Sequence, residues 1–99
     1  MAFKTIWLTA KDNVATALED LPAGSLVTVS ADGEEATVRL QEHIPFGHKF
    51  AVRPIAAGED ILKYGQVIGA ATRDIRPGEH VHVHNLEGKR GRGDRHERG

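Results

Sequence analysis

One eleven-residue pattern recurs three times along this chain and limits what it can fold into. The segment Ala17-Leu18-Glu19-Asp20-Leu21-Pro22-Ala23-Gly24-Ser25-Leu26-Val27 is matched by residues 51–61 (AVRPIAAGEDI) and 71–81 (ATRDIRPGEHV). In each, Ala is followed four positions later by Leu or Ile, then Gly after three more, then Val or Ile after another three. Pro presets φ at a turn corner, and Gly accepts the positive φ that closes a tight turn. The unit therefore reads as strand, turn, strand. Eleven residues are too few for a helical solenoid repeat, so the pattern is a turn device reused within a β-structure.

Alternation of apolar and polar residues supplies the remaining strands. Phe3 to Leu8 is apolar and β-rich. Leu26 to Ser30 leads into Asp32-Gly33, a strong hairpin signal, and Ala36 to Leu40 is the return strand. Gln66 to Ala71 and Glu79 to Asn85 complete the set. Asp12 to Glu19 is ambiguous, because an N-cap candidate at its start is compatible with two helical turns. Short strands joined by Pro/Gly turns, with at most one or two short helices, predict a small all-β domain.

Composition narrows the function. A chain of 99 residues buries only about 60–65% of its unfolded surface. With five aromatics (Phe3, Trp7, Phe46, Phe50 and Tyr64) the core must be mostly aliphatic. A deep substrate pocket would compete with that core for apolar side chains, which favours a surface site or half of a site completed by another chain. Cysteine is absent, which excludes disulfides and thiolate metal sites. No signal-peptide pattern opens the sequence and no apolar run reaches membrane-spanning length, so a cytoplasmic protein without a membrane role is expected.

The strongest chemical signal is Glu79-His80-Val81-His82-Val83-His84-Asn85. In an extended strand this spacing sends both valines to one face and all three imidazoles to the other. Residues i and i+2 on a strand are roughly 6.6 Å apart at Cα, close enough for leaning imidazoles to share one ion. Neutral imidazole ligates transition metals and carries protons near neutral pH. His82 and His84 are the preferred metal pair, since His80 adjoins the Pro77-Gly78 turn. The alternative is a solvated strand edge whose outward positions happen to be histidine.

Two further segments suit a site. In Ile44-Pro45-Phe46-Gly47-His48-Lys49-Phe50, a rigid corner displays a base and an ammonium group. In Lys63-Tyr64-Gly65-Gln66, glycine allows the phenol to approach a ligand, although Tyr64 could equally cover the core. Charge is uneven: of 13 basic and 14 acidic residues, five and three fall in residues 87–99, which leaves 8 and 11 for residues 1–86. That Gly/Arg-rich tail has no apolar anchor and is expected to be flexible or to order on a protein partner. It has no aromatic to stack on bases, so nucleic-acid binding is not expected.

Together these motifs resemble a known family. Ile44 to Ala51, Ile61 to Gly69 and Gly78 to Leu86 carry GHK, KYG and HVHN in an order and spacing similar to the SAF-type domain of altronate/galactarate dehydratases. The same domain occurs as the small subunit of altronate dehydratase and of sulfolactate sulfo-lyase. The resemblance covers nearly all of residues 5–86 and implies a β-clip fold for residues 1–86, followed by the tail at 87–99.

The resemblance also implies a function: small subunit of a metal-assisted sugar-acid hydro-lyase that shares its active site with a large catalytic subunit. The family reaction removes water from a 2,3-dihydroxy acid to give a 2-keto-3-deoxy acid. Carried over by motif, His48, Lys49 and Tyr64 are the catalytic candidates. Gly47, Gly65 and Asn85 are the substrate-binding candidates, and His82 and His84 would hold a divalent metal such as iron, manganese or zinc. The sequence reaches Gly99 without the family's large domain, so the chain is not expected to be active alone. A sulfolactate sulfo-lyase small subunit, or a non-catalytic module that binds metal or sugar acid, remains an alternative, and a homo-oligomer is left open.

Overall fold

The turn device is used four times rather than three, and the copies work in pairs. The computed structural model describes residues 3–88. Their strands are β1 (Thr5–Ile6), β2 (Val14–Ala17), β3 (Leu26–Ala31), β4 (Glu34–Arg39), β5 (Lys49–Ala51), β6 (Asp60–Lys63), β7 (Gln66–Ala71), β8 (His80–Val81) and β9 (Leu86–Gly88). No helix occurs among the described residues, so the expected all-β class holds. The ambiguous segment after Asp12 is strand β2. Three antiparallel sheets result, ordered β1-β2-β5-β8, β3-β4 and β6-β7-β9.

The hidden fourth copy is Leu40-Ile44-Gly47-Phe50, where Leu replaces the leading Ala and Phe the closing Val or Ile. Leu21 and Ile44 exchange two backbone hydrogen bonds of 2.9 Å, and Ile55 and Ile75 do the same at 2.9 and 2.7 Å. Beyond each bridge lies a turn whose glycine has φ of 84–86°, as a type II turn requires at its third position. Each glycine N–H then donates to the residue that opens the partner copy: Gly24 to Leu40, Gly47 to Ala17, Gly58 to Ala71 and Gly78 to Ala51. The sequence repeat thus records a reciprocal clasp, made once by residues 17–50 and again by residues 51–81.

Each clasp has its own core. Leu21 and Ile44 pack with Trp7, Val27, Val38, Leu40 and Phe50. Ile55 and Ile75 pack with Val14, Ile61, Ala71 and Val81. The β2–β5 ladder lies between these cores, with Ala15 and Phe50 turned to the first and Val14 and Ala51 to the second. This explains why every residue of β2 is buried and why the strand lacks polar alternation. Burial of each large aliphatic contributes about 2 kcal/mol.

The strand expected from Glu79 to Asn85 is corrected by the structure: only His80–Val81 is extended, and a turn separates it from β9. Strand β9 runs to Gly88, the last described residue. The rest of the basic tail lies outside the described residues.

Candidate active-site surface

Asn85 is what ends the histidine strand. Its side chain is fully buried, accepting a 3.0 Å bond from the His82 N–H and donating a 2.9 Å bond to the His80 carbonyl. Its own N–H donates to the His82 carbonyl at 3.1 Å, closing a four-residue turn. Asparagine readily captures backbone in this way, competing with sheet pairing. Val81 consequently points into the core, whereas Val83 is 80% exposed, and the two valines do not share a face.

The imidazoles converge nonetheless. Extending the β5–β8 register by one residue sets His48 opposite His82, and their rings stack with centroids 4.2 Å apart. His48 Nδ1 and His80 Nε2 share a 2.8 Å hydrogen bond, in which one nitrogen donates and the other accepts. His80 and His82 lie 5.6 Å apart and nearly parallel, while His84 tilts against His80 at 5.2 Å. One ligating nitrogen from each of His48, His80 and His82 lies within 4.8 Å of the others. The convergent trio is therefore not the His82/His84 pair expected from spacing. It includes His80 and recruits His48 from another strand.

Crowding favours the neutral form of His80 and His82. His80 is held below the usual histidine value by loss of solvent first and then by His48 and His84, with Glu42 opposing the shift. His82 is lowered by desolvation, followed by repulsion from His48, Lys49 and His84. Neutral imidazoles present the free lone pairs that metal ligation or proton abstraction requires.

Lys49 faces differently. Opposite Thr16 in the β2–β5 register, it shares the strand face of Val81 rather than that of His48. The Tyr64 hydroxyl lies 3.5 Å from the Thr16 hydroxyl, and Lys63 Nζ stands 4.8 Å from the centre of the Tyr64 ring. Lys49 is pushed below the ordinary lysine value by burial and then by Lys63. Two groups of chemistry-bearing residues therefore flank the end of the central sheet, imidazoles on one side and amines with a phenol on the other.

A buried carboxylate positions the second group. Tyr64 and Gly65 occupy the β6–β7 turn with φ of 56° and 77°, a conformation that is uncommon for a bulky residue. Asp12, wholly buried, accepts 2.8 Å bonds from both of their N–H groups and a 3.0 Å bond from the Thr9 hydroxyl. Its neighbour Asn13 clamps the same hairpin through the Asp60 carbonyl and the Leu62 N–H. Sequence reasoning missed Asp12 and Asn13 as positioning residues, since the same pair reads as a helix cap. It also passed over Thr16 and gave Lys63 no role. Gly47 and Gly65 serve their turns by positive φ.

Comparison with known proteins gives this surface a context. Residues 3–89 match the sequence profile of the altronate/galactarate dehydratase SAF domain. The chain belongs to that family. It is 49% identical over 76 residues to altronate dehydratase of Escherichia coli (strain K12), a match covering 77% of this chain and 14% of that protein. It is 40% identical over 75 residues to (2R)-sulfolactate sulfo-lyase subunit alpha of Chromohalobacter salexigens, covering 74% and 80% of the two chains. Galactarate dehydratase (L-threo-forming) of Escherichia coli is 46% identical over 72 residues, 12% of its length. The chain thus spans only a small part of the dehydratases it resembles, in which it corresponds to one domain. No helix among the described residues is long and apolar enough to cross a membrane.

Proposed function

We propose that this domain supplies one wall of the active site of a lyase acting on small hydroxy acids, completed by a large catalytic subunit. The observation that carries this reading is the gathering of His48, His80, His82 and His84 on an open surface. Exposed Phe46 and Val83, 64% and 80% accessible, stand in the two turns that carry these histidines. Apolar residues displayed beside a polar cluster suit a face that another protein surface covers.

Altronate and galactarate dehydration fit the residues. A proton leaves the carbon next to the carboxylate, the electron pair forms a C=C bond, and the neighbouring hydroxyl departs with its bonding pair and a proton from an acid. The resulting enol tautomerises to a 2-keto acid. Where no ion occupies the trio, a neutral imidazole such as His82 serves as proton acceptor, and Lys49 or Tyr64 as donor to the departing oxygen. The trio His48, His80 and His82 fits a divalent metal in donor type, number and neutrality. When bound, such an ion supplies positive charge against the developing enediolate.

A second reading has its own support. The match to the sulfo-lyase alpha subunit covers 80% of that subunit. There the departing group would be sulfite, with the same proton abstraction. The deciding experiment combines the chain with its large subunit and assays altronate, galactarate and (2R)-sulfolactate. Turnover is expected only from the combined proteins, and its loss on His48→Ala or His82→Ala supports the shared site. Full activity of the combined proteins carrying both substitutions would overturn it.

A further inference from the structure

The register of β2 on β5 and the β6–β7 turn bring the Lys49 and Lys63 side chains to one neighbourhood around Thr16 and Tyr64. Lys49 lies opposite Thr16 across the β2–β5 ladder. The Thr16 hydroxyl receives the Tyr64 hydroxyl at 3.5 Å, and the Tyr64 ring lies under the Lys63 ammonium at 4.8 Å. Among the described residues the one side-chain ion pair joins Arg76 and Glu79, far along the chain from either lysine. Both lysines are half-buried, and like charges brought together away from water oppose each other's protonation. An oxyanion placed between the two relieves this repulsion and gives both hydroxyls a partner.

We propose that Lys49, Lys63 and the hydroxyls of Thr16 and Tyr64 form an anion subsite that receives the acid group, carboxylate or sulfonate, of a small hydroxy acid. This rests on the lyase reading for its choice of ligand, but the binding itself needs no partner subunit. The Tyr64-Gly65 turn is fixed by Asp12, so the phenol and the Lys63 stem start from a held backbone. Lys49 is the next residue after His48 on β5, so an acid group held there lies at the sheet end that also carries the imidazoles. The subsite divides the labour: the lysine side grips the acid and the histidine side performs the proton transfer.

The test is an NMR titration of the full chain with D-glycerate, isethionate (2-hydroxyethanesulfonate) and, as the uncharged control, glycerol. Saturable shifts at Thr16, Lys49, Lys63 and Tyr64 are expected with one or both acids and not with glycerol. The relative strength of the two acids tells carboxylate from sulfonate preference. Lys63→Gln, at a hairpin end where the fold tolerates change, is expected to weaken binding by about tenfold, and Lys63→Arg to retain most of it. Lys11→Gln, on an exposed loop, is expected to change nothing. Binding of the acids by Lys63→Gln and Lys49→Gln equal to the unsubstituted chain, or equal shifts with glycerol, would overturn the proposal. The two readings fail separately. Turnover with the large subunit whose KM ignores Lys63→Gln removes the subsite and leaves the lyase. Acid binding at the lysines without turnover of any acid removes the lyase and leaves the subsite.

Discussion

His48 and His80 stand 32 positions apart in sequence, yet their ring nitrogens Nδ1 and Nε2 lie 2.8 Å apart and share one proton. A second proton on that pair would break the bond and set two cations side by side, with His82 and His84 adding to the repulsion. Low pH should therefore work against this part of the fold.

The sign follows from the shifts. His80 and His82 both titrate below 6.5 in the folded chain, so the unfolded chain binds more protons as pH falls past that value. Stability is full above 6.5 and declines progressively below it, toward the depressed folded values. Urea unfolding of metal-free protein between pH 8 and pH 5, on the order of half-unit steps, should show this decline. His80→Gln should flatten it, and His43→Gln, exposed and outside the cluster, should not.

Metal binding distinguishes the convergent trio from the pair suggested by sequence spacing. Calorimetric titration with zinc should lose affinity by more than about tenfold on His48→Ala, His80→Ala or His82→Ala. His84→Ala should cost much less, because its ring faces only His80. Equal losses for His82 and His84, with His48 neutral, would contradict the trio.

Asp12 and Asn85 should be costly positions, because each holds the backbone of a turn. Asp12→Ala leaves the N–H groups of Tyr64 and Gly65 without their acceptor, a loss of about 3 kcal/mol. Asn85→Ala frees the His82 N–H and the His80 carbonyl, for about 2 kcal/mol. Amide exchange separates the two: Asp12→Ala accelerates it at Tyr64 and Gly65, and Asn85→Ala at His82.

Gly78 allows no side chain. A Cβ there would lie 2.0 Å from the Arg39 carbonyl oxygen, and its φ of 86° disfavours any L residue. Gly78→Ala should destabilise by about 3 kcal/mol, combining the left-handed penalty with overpacking. At Gly58 a Cβ meets nothing within 4 Å, so the same substitution should cost only about 1–2 kcal/mol, the left-handed penalty alone. Thermal unfolding of the two variants checks the difference.

Much of this was legible in the sequence, and the failures have physical causes. The turn device was visible wherever its opening and closing positions were small or β-branched. It was hidden at Leu40 and Phe50, where the same geometry faces a roomier core. Val-His alternation predicted a longer strand because period-two spacing ignores what Asn85 does to the backbone. Asp12-Asn13 reads as the start of a segment with a helix N-cap candidate, but the backbone groups it holds belong to a hairpin about fifty residues away. Local patterns cannot distinguish a helix's own first turn from a distant strand as the recipient of such bonds. Thr16 gave no signal of its own, since only the register of β2 on β5 sets it opposite Lys49.

The central sheet has a further consequence for how the chain acquires its shape. Strand β5 joins β2 on one side and β8 on the other, and the bridges at the heart of the two clasps, Leu21–Ile44 and Ile55–Ile75, also join segments distant in sequence. Nothing in this sheet beyond β1–β2 pairs with an immediate neighbour. During synthesis the histidine face is therefore complete only once Asn85, which holds the His80 carbonyl and the His82 N–H, is in place. High contact order of this kind slows folding, so the chemistry-bearing surface and the completed topology should emerge in the same kinetic step.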